Sequence, residues 1–147
     1  MSPASPPAWS LHPQLARDTA PTGDLPLSRV LVMNDATYPW VLLVPRQARV
    51  CEIIDLAEAQ RQRLMVEIAL VSRAVKSVTG CDKLNVAAIG NLVPQLHVHV
   101  VARRIGDPAW PKPVWGAAPP RPYVEGELGA FTAALQQALG GVHKILK

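Results

Sequence analysis

The chain of 147 residues carries only two cysteines, Cys51 and Cys81, with no CxxC pair between them. That excludes a disulfide framework and a conventional zinc site, which wants more ligands at closer spacing. Both are expected to be buried free thiols in a reducing compartment. No apolar run approaches the roughly 20 residues that cross a bilayer. The stretch Met1–Trp9 lacks the basic start and apolar core of a signal peptide, so the expectation is a cytoplasmic protein with no membrane partner. Charged residues are scarce, at 18%, and the net charge is +4. The excess favours anionic ligands weakly and does not by itself choose between nucleotides and nucleic acid. There is no internal repeat and no sign of a second domain.

What is present describes one globular domain. Hydrophobic residues make up 49% of the chain, and a chain of this length buries about two-thirds of its unfolded surface. Residues 1–27 are proline-rich, with Pro13, Pro21, Gly23 and Pro26 as punctuation, and read as a partly extended, turn-rich segment. His12 within it reads as a solvated loop histidine. Residues 28–147 read as the domain proper. Ser28–Met33 and Trp40–Val44 are β-branched runs joined by the turn Asn34-Asp35, which predicts a hairpin. Asp55 is positioned to cap a helix, with Glu58 three residues on. Leu64, Ile68, Val71, Val75 and Val78 then recur at helical spacing up to Gly80. The charges of that helix, Arg61, Arg63, Glu67, Arg73 and Lys76, read as its solvated face. Leu84–Ile89 predicts another strand. Residues 105–123 form a loop rich in proline and tryptophan, in which Trp110 and Trp115 read as cover for the sheet or the loop, the alternative being a base-binding or dimer surface. Leu128–Leu139 predicts a final helix closed by Gly140-Gly141, with His143 inert in the tail. The order of elements points to an α+β fold with an antiparallel sheet.

One stretch stands out. From Gln95 onward, Gln95, His97 and His99 alternate with Leu96, Val98 and Val100. A strand sends successive side chains to opposite faces, so three hydrogen-bonding groups would share one face of an apolar strand. Polar groups there must find partners or a ligand. Three chemistries fit. The histidines ligate a metal, given at least one further ligand; they are satisfied by structural hydrogen bonds; or they catalyse. A neutral imidazole is a competent nucleophile near neutral pH. Charge developing on phosphate oxygens needs donors around it, and Gln95, His99, Asn91, Arg103 and Arg104 lie close in sequence to supply them.

Gln-Leu-His-Val-His-Val-Val resembles the signature of the histidine-triad (HIT) superfamily, His-φ-His-φ-His-φ-φ with φ apolar, with glutamine in the first position. Gly90-Asn91 resembles the Gly-Gln or Gly-Asn that the family places before that strand. The resemblance extends from about Ser28 to Arg104. It implies a HIT-like antiparallel sheet of about five strands with one long helix and a C-terminal helix. It also implies a nucleotide hydrolase or nucleotidyl transferase that cleaves a nucleoside phosphate anhydride, ester or phosphoramidate through a nucleotidyl-histidine intermediate. By that resemblance His97 is the nucleophile and His99 contacts the phosphate. Gln95 takes the place of the first catalytic histidine without being able to carry a proton. Asn91 donates to phosphate oxygens, and Asn34 or Asp35 holds the ribose hydroxyls. Trp40 stands where many members carry another histidine. The implied partner is a nucleotide or dinucleoside polyphosphate-like small molecule rather than a nucleic acid, bound by a homodimer without metal or cofactor. The alternative is a HIT-like nucleotide-binding protein whose catalysis is weak or lost through Gln95.

Overall fold

The computed structural model describes residues 2–5 and 7–140. Five antiparallel strands lie in the order β1-β2-β3-β5-β4. They are β1 (Thr19–Asp24), β2 (Ser28–Met33), β3 (Trp40–Pro45), β4 (Lys83–Ala87) and β5 (Val98–Arg103). Helix α1 (Pro13–Asp18) precedes them, α2 (Glu58–Thr79) links β3 to β4, and α3 (Glu127–Ala138) follows β5. This is the α+β architecture that the pattern predicts. None of the described helices is long and apolar enough to cross a membrane.

Every residue of β3 is buried, because both faces of the sheet are covered, and a strand covered twice reads as a continuous apolar run. On one face Val30, Val32, Val41, Leu43, Val98, Val100 and Ala102 pack against Leu64, Val71 and Val75 of α2 and Leu135 of α3. On the other, Leu31, Trp40, Leu42, Val44 and Val101 meet Leu15 of α1 and Val114 of the proline- and tryptophan-rich loop. The second layer is therefore made of the short helix α1 and irregular chain, and it is the layer in which the polar row opens.

Helix α2 ends at Gly80, whose φ of 62° and ψ of 29° are left-handed and whose N–H bonds Lys76 O at 2.8 Å. That is the stop expected of a glycine after the last apolar turn. Its start differs from the sequence reading. The helix begins at Glu58, where Gln60 Oε1 accepts from Ala57 N. Asp55 instead closes a short 3-10 turn (Ile53–Asp55) by accepting from Cys51 N and Glu52 N.

Four further expectations are corrected. The segment 13–24 is ordered structure: Pro13 starts α1 with His12 as its cap, Nδ1 accepting from Gln14 N at 3.0 Å. Proline suits the first helical turn because it has no N–H to satisfy there. β1 then forms an edge strand, where Pro21 is tolerated at a register shift between Pro21 and Gly23. His12 is accordingly a cap rather than a solvated bystander. Cys81 is buried as expected, but Cys51 is exposed. Glu67, expected on the solvated face of α2, is 2% exposed and accepts from Leu27 N at 2.8 Å and Ser28 N at 2.9 Å. The expectations for Gly141 and His143 lie outside the described residues.

Candidate active site

β4 ends at Ala87, so the chain from 88 to 97 has no strand to pair with and loops back before β5 begins at Val98. Leu96 N bonds Val50 O in this loop instead of a neighbouring strand. Gly90 turns it with φ of 63°, and a Cβ there would lie 3.1 Å from Val93 O and 3.8 Å from His97 Cε1. A glycine is favoured both by the left-handed backbone and by the closeness of the Val93 carbonyl. The predicted strand from Gln95 is thus shorter than alternation suggested, yet His97 and His99 still share a face.

That face opens into a cavity of about 610 Å³, within the ordinary size for a small-molecule site. Its walls include His97 and His99, Asn91 from the loop, Asp35 after β2, Gln14, Leu15 and Asp18 from α1, and Trp115. Of the residues expected at the site, His97, His99, Asn91 and Asp35 are brought together. Asn34 and Gln95 are not among the lining residues. Asn34 Oδ1 accepts from Tyr123 N at 3.0 Å, and Gln95 is held elsewhere by Ser10 and His12. Asp35 is 6% exposed, and its Oδ1 accepts from Thr37 N and Arg121 N. Its Oδ2 has no protein partner among the described residues.

The two imidazoles are held in opposite tautomers. His97 Nδ1 lies 2.7 Å from Gln95 O. A carbonyl only accepts, so Nδ1 carries the proton and Nε2 of the neutral ring carries the lone pair. His99 Nδ1 lies 2.9 Å from Trp40 Nε1. An indole only donates, so His99 Nδ1 holds the lone pair and Nε2 the proton. The ring centroids are 4.9 Å apart. One histidine thus offers an electron pair beside another that offers a proton.

Burial keeps His99 in that state. It is 5% exposed, with the rings of Trp40 and Trp115 centred 5.7 and 5.2 Å away. Desolvation, with a smaller contribution from the charge of His97, lowers its pKa to about 3. Trp40, where sequence reasoning noted only a departure from a histidine, is therefore the group that selects the tautomer. Trp40→Phe keeps the aromatic packing and removes the donor. The expected result is a His99 that titrates at higher pH and samples both tautomers, seen in its imidazole ¹⁵N shifts. A fall in kcat of about tenfold or more should accompany it, the scale for losing one oriented donor. A His99 still locked as the Nε2–H form would sink the assignment.

Arg103 and Arg104, considered as phosphate cations, are committed to structure. Arg103 is 1% exposed between the rings of Tyr38 and Trp110. Its Nε and Nη2 donate to the two oxygens of Asp107 at 2.7 and 2.9 Å, and its Nη1 donates to Asn85 Oδ1 at 2.7 Å. Arg103 holds the Asp107 carboxyl below its usual range. Arg104 donates to Thr79 O and Gly80 O. The cavity lining contains Asp18 and Asp35 but no lysine or arginine among the described residues. Nor do the described residues contain a group of three or more His, Cys, Asp or Glu placed to hold a metal ion.

The family model of the HIT domain matches residues 16–106 of the chain. This protein belongs to the HIT family. A histidine triad protein from Bradyrhizobium japonicum shares 59% identity over 90% of this chain and 99% of its own, with a TM-score of 0.88. One from Marinobacter aquaeolei shares 48% identity over 92% and 99%, with a TM-score of 0.89. A third, from Sinorhizobium meliloti, shares 42% over 88% and 96%, with a TM-score of 0.87. No curated protein matches the chain. HIT-domain proteins are generally nucleotide hydrolases or transferases. The match begins at Ala16, inside α1, so the strand and helix that sequence reasoning set aside as a loose lead belong in part to the family domain.

Two parts of the site escaped the sequence reading. The wall contributed by α1 carried only one legible signal, a proline at the first helical position. The wall contributed by Val114–Pro120 carried none, because its conformation depends on distant contacts such as that of Arg121 N with Asp35.

Proposed function

We propose that this HIT protein cleaves a nucleoside phosphate derivative by nucleotidyl transfer to His97 and then to water or another acceptor. The opposed tautomers of His97 and His99 carry the proposal. Nε2 of His97 attacks phosphorus, the P–N bond forms, and the bond to the leaving group breaks with its electron pair departing on that group. The ring becomes cationic, with its Nδ1 proton held by Gln95 O. His99 Nε2–H and the Asn91 amide donate to the phosphate oxygens as charge builds there. Water then attacks phosphorus, and the P–N bond breaks with its electron pair returning to Nε2 to restore the neutral imidazole. The proton shed by the water passes to bulk solvent, which also supplies the proton taken up by the leaving group. Asp35 Oδ2 is the acceptor for the ribose hydroxyls.

Among the described residues the lining carries no cationic side chain, which favours a single phosphate in the cavity over a polyphosphate chain, whose charges would need neutralising. Adenosine and guanosine phosphoramidates are thus expected to be better substrates than dinucleoside polyphosphates. Intact-protein mass spectrometry during turnover is the test. A mass increase of one nucleotidyl group, absent in His97→Ala, supports covalent transfer. Nucleotide binding without adduct or product would make the protein a binding module instead.

The protein acts as a cytoplasmic homodimer in this reading. β4 is an edge strand bonded only to β5, and its Val86 is 46% exposed on the face that α2 covers. Met65 and Val66 of α2 are 65% and 57% exposed. A free strand edge beside apolar surface is a pairing site. Light scattering should give twice the chain mass, and Val86→Glu should reduce it to one chain. A wild-type monomer at micromolar concentration would rule the dimer out.

A further inference from the structure

Gln95 begins the polar row in the sequence, yet its side chain turns away from both histidines. Its Oε1 accepts from His12 N at 2.9 Å and its Nε2 donates to Ser10 O at 2.9 Å. A backbone N–H needs an acceptor and a C=O needs a donor, so one amide orientation satisfies both. The carboxamide presents donor and acceptor side by side, as a peptide group does, and so pairs with the two backbone groups that flank Leu11. An imidazole carries its two nitrogens on diverging directions and cannot make this pair.

The segment held in this way is built into the site. The Trp9 ring lies 5.0 Å from the Arg29 guanidinium. Leu15 is 3% exposed in the core of the second layer. Asp18 O accepts from Asn34 N at 2.9 Å, beside Asp35. Gln14, Leu15 and Asp18 then form part of the cavity wall. Meanwhile the backbone carbonyl of the same Gln95 holds the Nδ1 proton of His97. One residue therefore ties the nucleophile to the N-terminal wall, across 83 and 85 residues of sequence.

We infer that Gln95 is a positioning residue that clamps the strap Trp9–Asp18 as a wall of the substrate cavity, rather than an acid–base group in place of a third histidine. The inference rests on the nucleotide reading of the cavity only for what the wall binds. The clamp itself is independent of it. An acid–base group acts on kcat, whereas a clamp acts on the fit of the ground state and so on KM.

The test combines hydrogen exchange of the ligand-free full chain with kinetics on adenosine 5′-phosphoramidate and titration with AMP. In Gln95→Ala the His12 amide should exchange at least about tenfold faster, because it loses its acceptor. KM and the Kd for AMP should rise about tenfold, with kcat within about twofold of wild type. Gln95→Glu keeps an acceptor for His12 N but has no donor for Ser10 O, and should fall between wild type and Gln95→Ala. Gln95→His should behave like Gln95→Ala. Unchanged His12 protection in Gln95→Ala, or a large loss of kcat at constant KM, would overturn the clamp. So would a Gln95→His variant faster than wild type. A wild-type protein that neither binds AMP nor turns over would overturn the nucleotide reading, and the exchange result would still decide the clamp.

Discussion

His97→Ala should lower turnover by about four orders of magnitude or more, the scale seen when a covalent nucleophile is removed, while the fold persists. Both halves of that expectation come from the surroundings of the ring. Among the described residues the only side-chain hydrogen bond of His97 is local, from Nδ1 to Gln95 O two residues away. Its removal leaves the Gln95 carbonyl facing the space that the ring vacates, which adjoins the cavity lined by His97, so water can replace the lost donor. Loss of the ring costs its packing against His99 and the Gly90 turn. The midpoint of thermal unfolding should therefore move by a few degrees at most. Single-turnover kinetics with an adenosine phosphoramidate and circular dichroism check the two halves separately. Turnover near the wild-type rate would refute the covalent route. His99→Gln is the instructive comparison, since an amide can still donate to the phosphate; it should cost about 10²- to 10³-fold, the range for an oxyanion donor. The order, His97 far above His99, is the signature of a nucleophile beside a donor.

Much of this was legible from the sequence because its signals are local. The apolar runs of β2 and β3, the stripe of α2 and its stop at Gly80 are all set by neighbours within a few residues. So is the parity that puts His97 and His99 on one face. What escaped depends on partners far along the chain. Trp40 meets His99 across 59 residues, and no window over either residue contains the other. Arg103 has the parity of the two histidines and so looked available to phosphate. Asn85, 18 residues earlier, and Asp107 complete its coordination instead. Gln95 illustrates the limit of alternation as a guide, since the rule holds only while the chain is paired as a strand. At Gln95 the chain is still a loop, and the N-terminal strap captures its side chain. Edge strand β1 was hidden by Pro21 and Gly23, which are turn formers everywhere except at an edge or a bulge.

The largest expected effect on stability is at Glu67. The residue is three positions from Leu64 and four from Val71, both fully within the core stripe of α2. It therefore had to face the sheet, and a carboxylate there needs donors. Its two oxygens receive Ser28 N and Leu27 N at 2.9 and 2.8 Å, which anchors the middle of the helix to the turn between β1 and β2. That turn also carries Leu25 and Leu27, buried at 2% and 5% exposure. Glu67→Leu fills the space yet leaves two backbone N–H groups buried without acceptors, each costing about 1–3 kcal/mol. A total of about 3–4 kcal/mol is a large share of the roughly 5–15 kcal/mol that holds a domain together. For a chain of this size it should lower the unfolding midpoint by about 10 °C. Glu67→Gln retains one acceptor and shape, so it should recover part of that loss. Arg63→Ala, on the exposed face of the same helix, should change stability by no more than about 0.5 kcal/mol. Equal, small effects at Glu67 and Arg63 in thermal or denaturant melts would show that the carboxylate is solvated after all. The same melts bear on catalysis, because α2 packs on β5, the strand that carries His99. Glu67→Leu should lose activity only in proportion to the fraction unfolded, which separates an anchor of the scaffold from a member of the site.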